Sequence, residues 1–135
     1  MAYWLIKSEP FKWSWDQQVA AKTTFWDGVR NYQASNNMKA MQIGDQAFFY
    51  HSNEGKEIVG IVEVSKLYYP DPSDETGRFG MVDVTAVKKL QKPVTLADIK
   101  QTASLADMAL LKQSRLSVSP VRDEEWQIIL GMSAA

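Results

Sequence analysis

Residues 46–69 constrain the fold of this 135-residue chain more than any other stretch. Gln46-Ala47-Phe48-Phe49-Tyr50-His51-Ser52 is dense in aromatic residues, and the run from Ile58 to Tyr69 is dense in β-branched and aromatic ones. These are the residue types that fit a pleated sheet. Glu54-Gly55 between them reads as a tight turn, since glycine takes positive φ without steric cost. The two runs predict an antiparallel hairpin whose long arm bends at Gly60, where a side chain is missing.

Around this hairpin the chain supplies shorter elements. Tyr3-Trp4-Leu5-Ile6-Lys7 predicts a first strand, which Ser8-Glu9-Pro10 ends because proline lacks an N–H and holds its predecessor extended. Ser14 with Gln17 resembles a capping box and predicts a short helix over 15–21. Trp13 and Trp15 are expected as a hydrophobic lid over the start of that helix. Ala34, Met38 and Met41 recur at helical spacing and predict a helix over 33–41. Gly80 to Val87 alternates and predicts a strand that Pro93 breaks. Thr95 and Ser104, each followed three residues later by an aspartate, are expected as helix N-caps. Residues 115–119 predict a late strand, and Asp123 a cap for a final helix that ends at Gly131. About five strands with short helices in their connections, and no regular βαβ rhythm, predict an α+β fold with a curled, mostly antiparallel sheet. A small barrel of this kind would bury one face and leave a mouth where loops meet, the natural place for a ligand.

The length suits a single domain spanning residues 1–135. The chain has no cysteine, which excludes disulfides, thiolate metal sites and cysteine nucleophiles. His51 is the single histidine, so no site needing two imidazoles exists. No metal is expected. The N-terminus lacks a basic segment followed by a long apolar run, and no stretch reaches the roughly 20 apolar residues of a membrane span. A cytoplasmic protein is expected, or a nuclear one if the source has a nucleus. Net charge is −1, which argues against a broad polyanion-binding face. Cations prevail through Ala40 and acids gather at 71–75 and 123–125, so a local basic mouth remains open.

Phe25-Trp26-Asp27-Gly28-Val29-Arg30-Asn31-Tyr32-Gln33-Ala34 concentrates aromatic, cationic and amide groups around an Asp-Gly bend. A flat π-face bordered by hydrogen-bonding groups suits a planar heterocycle such as a nucleobase. The same aromatics would equally serve to pin a loop to the core. Polar groups also gather at Lys7-Ser8-Glu9-Pro10, at Tyr50-His51-Ser52-Asn53 and at Ser114-Arg115, each where a strand is expected to enter or leave the sheet. Glu9 and His51 could form an acid/base pair for a nucleotide-acting enzyme, but a nucleophile or metal set to complete it is missing. Asp71, Asp74 and Glu75 lack calcium-loop spacing and are expected to form a solvated acidic loop.

Six segments in order, YWLIKSEP, FWDGVRNYQASNNMKAM, GDQAFFYHSN, GIVEV, YYPDPS and LKQSRLSVSPV, resemble the EVE domain family over residues 2–131. The resemblance implies a PUA-like fold, a bent barrel of five or six strands decorated by short helices and related to the YTH domains. It implies a non-catalytic reader of a modified nucleobase, modified cytosine such as 5-methylcytosine in DNA being favoured, with the base flipped into an aromatic pocket. The resemblance implies no cofactor; an RNA-binding PUA-like module is the alternative, and the expected state is a monomer. Carried over residue by residue, Ser8 and Pro10 would lie on one side of the pocket. Trp26 and Tyr32 would be its aromatic walls, with Val29 and Asn31 along the floor or rim. Ser52 and Asn53 would contact the base edge, and Arg115 the phosphate or the rim.

Overall fold

From the N-terminus the computed structural model, which describes residues 1–134, runs β1 (Tyr3–Ser8), α1 (Trp15–Ala21), β2 (Thr23–Phe25), α2 (Tyr32–Ala40), β3 (Gln46–His51), β4 (Glu57–Pro70), β5 (Gly80–Thr95), α3 (Leu96–Gln101), α4 (Ala109–Lys112), β6 (Val118–Val121) and α5 (Asp123–Ser133). The strands form one sheet in the order β2-β5-β4-β3-β1-β6. The hairpin β3–β4 sits at its centre, with Ala47 opposite Val62 and Phe48 opposite Ile61. β1 runs parallel to β3, placing Ser8 beside His51; the other pairings are antiparallel. The end strands β2 and β6 do not pair with each other, so the sheet is curled and open, and the expected barrel is not closed. With three and four residues, these strands offer too few ladder groups to zip the ends together.

Both faces of the sheet are buried, where a barrel with one buried face was expected. Successive side chains of a strand point to opposite faces. Trp4 and Ile6 join Phe49, Trp15, Trp26 and Met38 in one core. Leu5, Phe48 and Tyr50 join Ile99, Leu105 and Trp126 in the other. α1 and α2 therefore close one side and α3 to α5 the other. Asp45 ties the first strand down: its carboxylate accepts hydrogen bonds from the Trp4 indole (3.1 Å), from Ala2 N–H (3.2 Å) and from Gln42 N–H (3.0 Å).

Several expected boundaries move. β5 runs through Pro93 instead of ending before it. β2 covers β5 only at residues 83–85, so beyond that point one edge of β5 carries no strand. The register also slips between Lys89 opposite Gly60 and Val94 opposite Ile58. At a bulge on an uncovered edge the missing proline N–H forfeits no ladder bond. β2 was not expected, because three residues are too few for alternation to show. Thr95 does cap α3, accepting Asp98 N–H at 3.1 Å. Ser104 caps nothing and lies inside a single 3-10 turn at Ala103–Leu105. Arg115 and Leu116 belong to a turn, closed by Leu116 N–H on the Gln113 carbonyl at 3.0 Å, and the strand follows at Val118. α5 passes through Gly131 to Ser133, a helical glycine costing only about 1 kcal/mol. Among the described residues no helix is long and apolar enough to cross a membrane.

Candidate functional site

A cavity of about 480 Å³ opens where the end of β1 faces the segment after α1, within the roughly 300–1,000 Å³ typical of small-molecule sites. One side is formed by Lys7, Ser8 and Glu9 with Lys12 and Trp13, the other by Thr24 through Gly28. Pro10 turns the chain between the two parts of the first side. That turn is closed by Lys12 N–H and Trp13 N–H, both donating to the Glu9 carbonyl at 2.9 Å. The Ser8 hydroxyl donates to the Trp13 carbonyl, so toward the cavity it has only acceptor capacity left. Trp13 is half-buried and donates its indole N–H to Gln18 Oε1 at 2.9 Å, which sets the plane of the ring.

Trp26 reaches the cavity from the opposite side. Only 9% of it is exposed, and its ring meets Phe49 edge-on at 5.6 Å. The indole is therefore part core residue and part cavity wall. Val29 packs in the same core and is 6% exposed. The expected bend is present, with Gly28 at φ 77°. Its fixation comes from a residue expected to be solvated: Asp71 is buried, and its carboxylate accepts from Gly28 N–H (2.9 Å), Arg30 (3.1 Å), Ser73 N–H (2.8 Å) and the Ser73 hydroxyl (2.6 Å). Burial by itself would raise the Asp71 pKa. The hydrogen bonds from Ser73, Gly28 and Arg30 together outweigh burial and hold it at about 2. The acidic segment is thus a clamp on the loop that carries Trp26.

The other expected site residues are distributed differently. Tyr32 opens α2, is 60% exposed and leans on Phe79 at 5.0 Å; the second indole on the cavity is Trp13. Asn31 caps α2, its side-chain oxygen accepting Ala34 N–H at 2.9 Å. Asn31 and Arg115 line a second cavity of about 340 Å³ together with Ser114. The two cavities are joined by Lys7, whose Nζ donates to the Ser114 carbonyl at 2.7 Å; burial lowers the pKa of this ammonium. Ser52 N–H donates to the Ser8 carbonyl at 2.9 Å, which sets the hairpin end against the end of β1. Asn53 is exposed in the β3–β4 connection at φ 65°.

His51 accepts the Trp15 N–H on Nε2 at 3.0 Å and lies edge-on to Phe49 at 5.7 Å. Burial lowers its pKa, against the opposing pull of Glu57 and Asp16. This favours a neutral ring whose Nε2 lone pair is already engaged. Among the described residues no cluster of three or more His, Cys, Asp or Glu could hold a metal ion. Sequence reasoning marked the segments that hold Lys7 and Phe25 without giving either residue a role, and it missed Lys12 and Trp13 as cavity residues and Asp71 as their support. Only the Trp13–Trp15 spacing carried a signal: of two indoles two residues apart, one packs inside and the other is left to edge a surface.

Comparison with known proteins places this arrangement. A protein of Rhodopseudomonas palustris solved by NMR is 58% identical, with a TM-score of 0.93 covering 99% of this chain and 94% of that one. The human THYN1 protein, crystallised in complex with 5-methylcytosine-containing DNA, is 34% identical, with a TM-score of 0.93 covering 100% of this chain and 99% of that one. Thymocyte nuclear protein 1 of Gallus gallus is 37% identical over 96% of this chain and 68% of its own length. With residues 2–132 matching the EVE domain, this chain belongs to the EVE domain family.

Proposed function

We propose that this chain is a non-catalytic DNA-binding module that reads a modified cytosine, 5-methylcytosine above all, turned out of the helix into the cavity between Trp13 and Trp26. The observation that carries the reading is the likeness, over the whole chain, to the human protein crystallised with 5-methylcytosine-containing DNA. The cavity suits the task. Two indoles line it, and base–aromatic stacking returns roughly 1–3 kcal/mol per base. Ser8 offers an acceptor to an exocyclic amine. Ser52 and Asn53 stand at the hairpin end beside Ser8, and Arg115 stands beyond Lys7 where a neighbouring phosphate would run. A reader is favoured over an enzyme because His51, the one imidazole, has its Nε2 lone pair tied to the Trp15 N–H.

Titration of matched duplexes with and without one 5-methylcytosine tests the reading. A methyl group in an apolar pocket is worth roughly 10–200-fold, so the methylated duplex binds tens-fold more tightly. Trp13→Ala removes most of that preference and leaves the fold intact. Equal affinity for the two duplexes would overturn modification reading, and tighter binding of the matched RNA would overturn the DNA assignment.

A further inference from the structure

Phe25 presents an apolar ring to solvent at the lip of the cavity and is 56% exposed, while the adjoining Trp26 is 9% exposed. Strand alternation accounts for the contrast, sending one ring out and the next in. The backbone beneath both is fixed: Phe25 pairs with Asp83 across β5, and Trp26 N–H donates to the Val82 carbonyl at 2.8 Å. The phenyl is therefore held out on a rigid strand end, so little conformational freedom is lost when it meets a partner. Single exposed apolar residues are ordinary on protein surfaces; the position of this one, on the rim of a cavity proposed to take a base, sets it apart.

A base turned out of a duplex leaves a gap between two unstacked neighbours. Proteins that open or kink DNA insert apolar side chains into such steps. Charge around this cavity would not hold the opened helix by itself, because Lys7 and Lys12 are matched by Glu9 and Asp27, with Lys12 and Glu9 3.6 Å apart. We propose that Phe25 is a wedge: when a modified cytosine of duplex DNA enters the cavity, the Phe25 ring occupies the place it vacates in the stack. The partner of this ring is duplex DNA. The proposal rests on the reading of the cavity as a site for a modified base.

The test compares wild type, Phe25→Ala, Phe25→Trp and Phe11→Ala on a duplex with one 5-methylcytosine and on the single strand carrying the same base. Phe11, 65% exposed in the turn after Pro10, serves as an exposed phenyl on the neighbouring segment. A single strand has no gap to fill, so Phe25→Ala weakens duplex binding about tenfold and single-strand binding by less than about twofold. Phe25→Trp retains duplex affinity, and Phe11→Ala leaves both affinities near wild type. An equal loss on both probes, as for a ring that stacks on the extruded base itself, would overturn the wedge. So would no loss on either probe, or a duplex loss in Phe11→Ala as large as in Phe25→Ala. Failure of the modified-base reading is seen separately, in wild type, as equal affinity for methylated and plain duplexes.

Discussion

One carboxylate, Asp71, holds the bend that leads away from Trp26, and nothing near it in the chain announces this. Its partners Gly28 and Arg30 lie 43 and 41 residues away, so from the sequence it is one more acid in an acidic run. Side-chain chemistry was legible where partners are local, as at Ser14 with Gln17 and at Thr95 with Asp98. It was illegible where partners meet only after the sheet has formed. The depressed Asp71 pKa makes the clamp measurable. A carboxyl whose pKa falls from its ordinary 3.8 to about 2 on folding stabilises the fold fully above 3.8, and loses that stabilisation as pH drops toward 2. Asp71→Asn should therefore cost about 2 kcal/mol at neutral pH, and its denaturation curve should converge on that of wild type between pH 4 and 2. A gap that stays constant across this range would refute the clamp. Trp26 carries a related lesson. With its ring against Phe49 in the core, truncation to alanine would cost about 3–5 kcal/mol of stability, so Trp26→Phe is the better probe of its wall.

Among elements, the contact of α1 with the central hairpin decides where the cavity stands. Trp15, the first residue of α1, lies over Gly60 of β4: a Cβ built there would come within 2.5 Å of the indole. Gly60 was read as a bend, and the ladder does slip beside it, between Ile58 and Gly60. The closer reason for glycine is that the ring needs the space. That packing holds α1 down, and with it the Trp13 turn that forms one side of the cavity. Gly60→Ala should destabilise by about 1–3 kcal/mol, and combining it with Trp15→Phe should recover part of the loss, giving a non-additive cycle by chemical denaturation. Strictly additive effects would mean that the two do not meet. The strong elements were legible because hydrophobic period and capping agree with their packing. β2 and the run of β5 through Pro93 were not, because each depends on which edge of β5 another strand covers.

Across the whole molecule the charges nearly cancel, with 15 Lys and Arg against 16 Asp and Glu. A protein that tracked the phosphate backbone would need a continuous cationic face. This one has Lys7 and Lys12 at the first cavity and Arg115 at the second, partly offset by Glu9 and Asp27. Each phosphate neutralised contributes about −0.9 to the slope of log K against log salt, so two or three contacts give a slope of about −2 to −3. Affinity must then come mainly from the base and its stacking, which is the division of labour a reader of one modified base requires. Arg115→Ala should weaken methylated and plain duplexes by the same factor and take about one unit from the slope. Trp13→Ala should leave the slope alone and weaken the methylated duplex more. Binding constants measured over a salt series separate the two kinds of contact. A wild-type slope steeper than about −6 would mean that phosphates, and not the cavity, hold the DNA.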